Sequence, residues 1–452
     1  MNDLVIYFTT VANLFLFIYI IPGIAIFPKF ILNPRTAAAI PFLSISIVIS
    51  AQYLLTTLNQ FNHQNVIIFI GILLLVAIYR LYGVYKDNLK LNNNWTKRDF
   101  KALLLIFFSS IPLMIILGFD GFQHADEIMS WNLWAKKIYF NEEKILSGNI
   151  YPLLLSSLIA FCYKFIGNID YQLPIRFTFS IIYLSTIFII YSFSNTKTKV
   201  GIFFITYIIL FLIIGVGYEY KKVWADTLMS GFLVASLALL ISLSNYQQHL
   251  NKNISPISIL LASVILISAA TLTKQGAIVW TILIYPLLAN LIINNNIKLS
   301  NFFKLALLVP ILTPILWYFI GGSNFFANED VINRSMGGRG FLEQLLFGFN
   351  ESFMKEGRFI LLVFMITTFI VLFKQINLEK VIIAIGISLS TISLIFFGAY
   401  ETTRLYLHII LISWLVFFAY GDYILTNKIG GIISSIGNSF YTYSLVGFLF
   451  IY

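Results

Sequence analysis

The sequence predicts an all-α polytopic membrane protein, and two observations carry that expectation. Hydrophobic residues make up 59% of the 452 positions and charged residues 11%, with a mean hydropathy of +0.88. A soluble domain carries roughly 25% charged residues, so this chain cannot cover a water-facing surface. Apolar runs of spanning length, about 20 residues, also recur along the chain. They fall at 4–27, 36–58, 66–82, 102–119, 175–193, 201–216, 227–244, 256–272, 276–293, 303–321, 359–373, 381–398, 405–421 and 429–452, about fourteen helices. This composition excludes a soluble enzyme, a disordered chain and a nucleic-acid partner. The lone cysteine, Cys162, excludes a disulfide framework and a cysteine-rich metal site.

Each element takes its side of the membrane from the placement of Lys and Arg. The start MNDLVIYF has no basic region before its apolar run, so the first helix reads as an uncleaved span. With the N-terminus outside, the loop holding Lys29 and Arg35 is cytoplasmic, as is the 80–101 connection with its six cations. The segment 120–174 is then external. The apolar stretch 152–167 decides everything after it. If it spans, the Lys197/Lys199 loop becomes external and every later loop inverts. If it stays in the outer leaflet, the loops holding Lys197, Lys252, Lys298, Lys374 and Lys428 are all cytoplasmic, and 15 of the 19 acidic residues face outside. The second choice satisfies every short loop, so 152–167 is expected to be a juxtamembrane helix. The net charge of +10 then records topology. The organisation expected is a three-helix segment at 1–101, a membrane core at 102–421 with external loops 120–174, 217–226 and 322–358, and a last helix at 422–452.

Five groups of residues on the expected external face carry candidate chemistry. The segment GFDGFQHADEIMSWNLWAKKIYF (118–140) places His124, Asp126 and Glu127 just after a membrane helix, followed by an aromatic amphipathic helix expected to lie flat on the surface. A carboxylate there suits deprotonation of a hydroxyl, and it equally suits a helix cap. His124, Asp126 and Glu127 also offer nitrogen and oxygen ligands for a divalent cation such as Mg or Mn, without a spacing motif. In GYEYKKVWADTLMSGF (217–232), Asp226 stands at the start of a helix near Lys221 and Lys222, either a first-turn acid or a second site carboxylate flanked by phosphate-binding cations. In TLTKQGA (271–277), Lys274 sits on a tight turn. In YETTRLYLHIIL (400–411), Glu401 and Arg404 open a helix and His408 lies one turn deeper; ionisable groups at that depth tend to mark function. The 327–359 loop carries Arg334, Arg339 and Arg358 around a glycine-rich turn.

At DEIMSWNLWAKKIY followed by YPLLLSSLIAFCY (151–163), the chain resembles the first external loop of the bacterial GT-C superfamily of integral-membrane glycosyltransferases. The segments VWADTLMSGFLVASLALL, LTKQGAIVW and TTRLYLHIIL follow in a similar order, so the resemblance covers roughly 102–420. It implies a GT-C-like fold with two external juxtamembrane helices, in a bacterial inner membrane, using a polyprenyl-phosphate-linked sugar donor. It implies Asp126 as general base with Glu127 beside it. Asp226 becomes the second-loop acid, and Lys274 and Arg404 become ligands of the donor phosphate. Lys221, Lys222, His408, Tyr151 and Arg339 complete the expected substrate contacts. Tyr151-Pro152 lacks the second proline of the family's pattern, and no soluble C-terminal domain follows the expected core. The acceptor is a lipid, a glycan or a protein. Two other readings stand beside this one. A polysaccharide polymerase or O-antigen ligase would depend on Arg339 and not on Asp126. A lipid-linked glycan flippase would show mid-helix charges and similar halves.

Overall fold

The computed structural model describes residues 2–87, 95–119, 122, 124, 126–142, 153–193, 206–207, 220, 222–244, 254–316, 339–354, 359–397 and 406–421. Among these residues every regular element is a helix, and nine helices are long and apolar enough to cross a membrane. Nine of the fourteen expected spans are these helices. The runs at 303–321, 359–373 and 405–421 form shorter apolar helices, and those at 201–216 and 429–452 lie outside the described residues but for 206–207. The chain is therefore an α-helical multi-pass membrane protein in a lipid environment.

Two compact units divide the chain, one of Met1–Ile189 with Tyr220–Arg334, the other of Ile190–Glu219 with Ser335–Tyr452. The first three spans thus share a unit with the first part of the expected core.

The first unit opens with α1 (Asn2–Tyr19) and α2 (Ile21–Ile26), which make one span. A turn containing Pro28 leads to α3 (Pro34–Ala37) and α4 (Ile40–Thr57). The prolines fall where a helix begins, at Pro22, Pro34 and Pro41, positions whose missing N–H costs nothing. Asn33 caps the turn by accepting from the Arg35 amide at 2.9 Å. Then come α5 (His63–Asp87) and α6 (Lys97–Phe119), the latter begun by a reciprocal Thr96–Asp99 capping box. The chain continues through α7 (Leu133–Tyr139), α8 (Leu154–Ile166), α9 (Gln172–Thr178) and α10 (Ser180–Ser192). It returns as α11 (Ala225–Ser244), α12 (Pro256–Thr273), α13 (Ile278–Asn294), α14 (Asn301–Ala306) and α15 (Val309–Leu316).

α11 is the axis of this unit. Protein covers 94% of its span, against 22% for α5, whose exposed Ile68, Leu75 and Tyr79 face lipid. Small residues let other helices approach it. Gly231 lies flat against the Phe42 ring of α4, and Ser236 exchanges hydrogen bonds with Ser263 of α12 at 3.0 and 3.5 Å.

Named contacts sort the helix ends of this unit into two groups. At one end Arg80 donates to the Ala25 and Ile26 carbonyls, both at 3.0 Å, and Trp95 donates to Ile31 and stacks on Phe188. At the other end Tyr7 of α1 donates to the Gly118 carbonyl of α6 at 2.9 Å, and His63 meets the Lys164 carbonyl of α8 at 2.7 Å. The second group is rich in acids and is called the acidic end below.

The C-terminal flank of α8 belongs to the acidic end. The chain leaves α7 at Tyr139 and comes back to Gly167, whose carbonyl lies 3.4 Å from the Tyr139 hydroxyl. Lys164 sits over the Tyr139 ring at 4.2 Å. Thirteen residues at ~1.5 Å each fall short of the ~30 Å hydrocarbon core. α8 is therefore not among the nine helices long enough to cross a membrane. It is also not laid on the surface, because Leu154–Tyr163 is buried throughout. Gly167 ends it in the left-handed region, φ 82°, with its amide on the Tyr163 carbonyl.

The second unit contains α16 (Phe341–Phe349), α17 (Phe359–Phe373), α18 (Leu378–Phe397) and α19 (Leu407–Tyr420). α18 and α19 run antiparallel, since Tyr420 at the end of α19 donates to Glu379 at the start of α18 at 2.6 Å. Tyr406, before α19, donates to Ser352 at 2.9 Å.

Candidate functional site

The acidic end of the first unit gathers three of the five expected groups. The segment after α6 enters a π-helical turn, Asp126–Asn132, and then α7. Its buried stripe is Glu127, Trp131, Asn132, Ala135 and Ile138, whereas Ile128, Met129 and Leu133 are exposed. The apolar side chains Ile128, Met129 and Leu133 thus lie on the side away from the protein, where a helix at the membrane surface would present them to lipid. The stripe turns inward because its first residue is an acid with three partners waiting for it.

Glu127 is fully buried. Its Oε1 accepts from the Val223 amide at 2.7 Å and faces Arg176 Nε at 3.4 Å, and its Oε2 accepts from the His124 amide at 2.9 Å. Arg176, on α9, also donates to the Ile116 and Leu117 carbonyls that end α6, at 3.2 and 3.5 Å. One carboxylate thus ties the loop, α9 and the approach to α11 together. A buried acid needs such satisfaction, since an unpaired charge in this setting would cost several kcal/mol.

Val223 leads directly into the second group. The His124 ring packs on Trp224 with centroids 5.0 Å apart, and Lys222 Nζ lies 4.9 Å from the same indole. Two residues on, Asp226 opens α11 and meets the third group, with Lys274 Nζ at 2.6 and 2.7 Å from its two oxygens. Asp226 is almost wholly buried and the Lys274 side chain is 13% exposed. The tight turn Gln275–Ala277 holds Lys274 in extended backbone so that its side chain reaches across to α11.

His124, Glu127, Lys222, Asp226 and Lys274 are therefore one polar cluster. Asp126 starts the same π turn, and its side chain lies outside the described residues. Tyr151, Lys221 and Arg404 also lie outside them, as do Glu401, Arg334 and Arg358. Arg339 and His408 belong to the second unit. There Arg339 stacks on the Phe347 ring at 3.8 Å, and His408 is buried in the first turn of α19.

The cluster changes the part each residue can play. Glu127 has its oxygens engaged by three nitrogens. Lys274 is held by Asp226, so the phosphate-binding role expected for it would require that pair to open. Among the described residues no group of three His, Cys, Asp or Glu side chains could hold a metal, and Glu127 is turned to the protein interior. Arg176 was not among the expected site residues. Its signal was in the sequence, as a lone cation within a run that otherwise reads as a span, QLPIRFTFSIIYL. The Asn132–Tyr163 hydrogen bond, 2.7 Å and buried, fixes α7 on α8 and was equally unforeseen.

The fold and this cluster define a multi-pass α-helical membrane protein with an ion-paired polar site at one end of its first unit. Comparison of the chain with protein-family models, with curated proteins and with solved structures finds no match.

Proposed function

We propose that the protein is an integral-membrane glycosyltransferase that moves a sugar from a polyprenyl-phosphate donor to an acceptor hydroxyl on the outer face of the membrane. One observation carries the reading. Glu127 fastens the segment bearing Asp126 to the start of α11, where Lys222 and the Asp226–Lys274 pair stand. An acid on a loop fixed in this way is held against rigid elements, which general-base catalysis needs.

In this reading the Asp126 carboxylate takes the proton of the acceptor hydroxyl. The acceptor oxygen forms a bond to the anomeric carbon as that carbon's bond to the phosphate oxygen breaks. Polyprenyl phosphate leaves with the electron pair, and the anomeric centre inverts. Lys222, part-buried over Trp224, supplies a cation for the charge growing on the phosphate. Asp226 and Lys274 set the potential of the cluster and hold α12 against α11. The donor's hydrocarbon chain would lie along the lipid-facing helices, which suits a protein with so little soluble mass.

The reading is tested with purified protein in proteoliposomes, supplied with a polyprenyl-phosphate sugar labelled in the sugar. Release of polyprenyl phosphate together with label on an acceptor is the expected result. Flipping of intact donor across the bilayer without release would overturn it in favour of transport.

A further inference from the structure

A cleft of about 240 Å³ opens at the acidic end between the starts of α1 and α9, away from the Glu127 cluster's own side chains. Its polar wall is Asp3, Tyr7, Asp170 and Tyr171, and Leu173 and Pro174 line its apolar wall. Tyr7 is held in place by its hydrogen bond to the Gly118 carbonyl and by edge contact with Phe177 at 6.3 Å.

Charge decides what such a cleft can take. Four cations of this end have partners of their own: Arg176 with Glu127, Lys274 with Asp226, Lys164 over the Tyr139 ring and Lys222 over Trp224. Asp3 and Asp170 have no cation within ion-pair distance among the described residues. Two such carboxylates repel a phosphate or carboxylate ligand and favour a positive one. Tyrosine rings add cation–π attraction. The exposed Leu4, Val5 and Phe8 beside it place the mouth of the cleft against lipid. Drug-sized ligands fill roughly 300–1,000 Å³, so this cleft suits a single small group.

We infer that the cleft binds a primary ammonium group, with Asp3 and Asp170 accepting its hydrogen bonds and the Leu173–Pro174 wall meeting the attached carbon chain. The ammonium could come from an aminophospholipid headgroup or from an amino sugar. This inference does not depend on glycosyl transfer.

Native mass spectrometry of the whole protein, released from membranes containing phosphatidylethanolamine and phosphatidylglycerol, tests it. Wild type should retain phosphatidylethanolamine roughly tenfold over phosphatidylglycerol, the scale of one or two charge-assisted hydrogen bonds. The double variant Asp3→Asn/Asp170→Asn should lose that preference, and Asp170→Glu should keep most of it, which separates loss of charge from misfolding. Added ethanolamine should displace the lipid in wild type. If glucosamine binds with the same Asp3/Asp170 dependence and the lipid does not, the source is an amino sugar and the ammonium site stands. Equal retention of the two lipids, with neither soluble amine binding, would overturn the inference. So would an ammonium preference unchanged in the double variant.

Discussion

The Glu127 carboxylate lies 2.7 Å from the Val223 amide, across 96 residues of sequence. This bond joins the loop after α6 to the head of α11, and Arg176 faces the same oxygen from α9. Removing one partner of a buried pair strands the other, at a cost of about 3–5 kcal/mol. Glu127→Gln should therefore lower unfolding stability in detergent by several kcal/mol. Replacing Glu127 and Arg176 together with Met should cost less than the two single changes summed. Stability unchanged in Glu127→Gln would show that the bond does not hold the loop.

Asp226 and Lys274 pair at 2.6 Å between α11 and α12. A double-mutant cycle with Asp226→Asn and Lys274→Met should give a coupling of about 0.5–3 kcal/mol in thermal unfolding. A coupling of zero would mean that the ion pair adds nothing to the contact between the two helices.

α8 should leave both its flanks on one side of the membrane. Single cysteines at Asn141 and Asn168, in a Cys162→Ala background, should react with an impermeant maleimide from the same side, and one at Lys29 should react from the other. Native Cys162 is buried, and burial pushes its thiol pKa up, so it should stay unlabelled in the intact protein. Labelling of Asn141 and Asn168 positions from opposite sides would make α8 a crossing helix.

Gly231 is the contact point of α11 with the Phe42 ring. Gly231→Ala should destabilise by about 1–3 kcal/mol through overpacking, and Phe42→Leu should recover part of the loss. An Ala variant as stable as wild type would show that the ring moves aside freely.

Much of this organisation was legible in the residues. Apolar runs placed the nine long helices, because in a bilayer the length of a helix is dictated by hydrocarbon thickness. Counting Lys and Arg kept 152–167 from spanning, and the helix formed there, Leu154–Ile166, is shorter than the nine long ones. The interior of the site was not legible. Glu127 was read as a partner of Asp126 at the helix start, whereas it is fully buried against an arginine and two amides that no local pattern links to it. Arg176 was overlooked because it lies inside a span, where apolar neighbours dominate any averaged signal. Lys274 was read as a turn lysine and phosphate ligand, and its pairing with Asp226 went unseen because the partner is 48 residues away and no local pattern links them.

The central claim is that Asp126 takes the acceptor's proton during sugar transfer, and Asp126→Asn tests it most directly. Transfer of labelled sugar from a polyprenyl-phosphate donor would be compared in proteoliposomes of wild type and variant at equal protein content and equal thermal stability. Loss of a general base should slow transfer by about 10²–10⁴-fold, with donor binding retained. Transfer at the wild-type rate in Asp126→Asn would contradict the account.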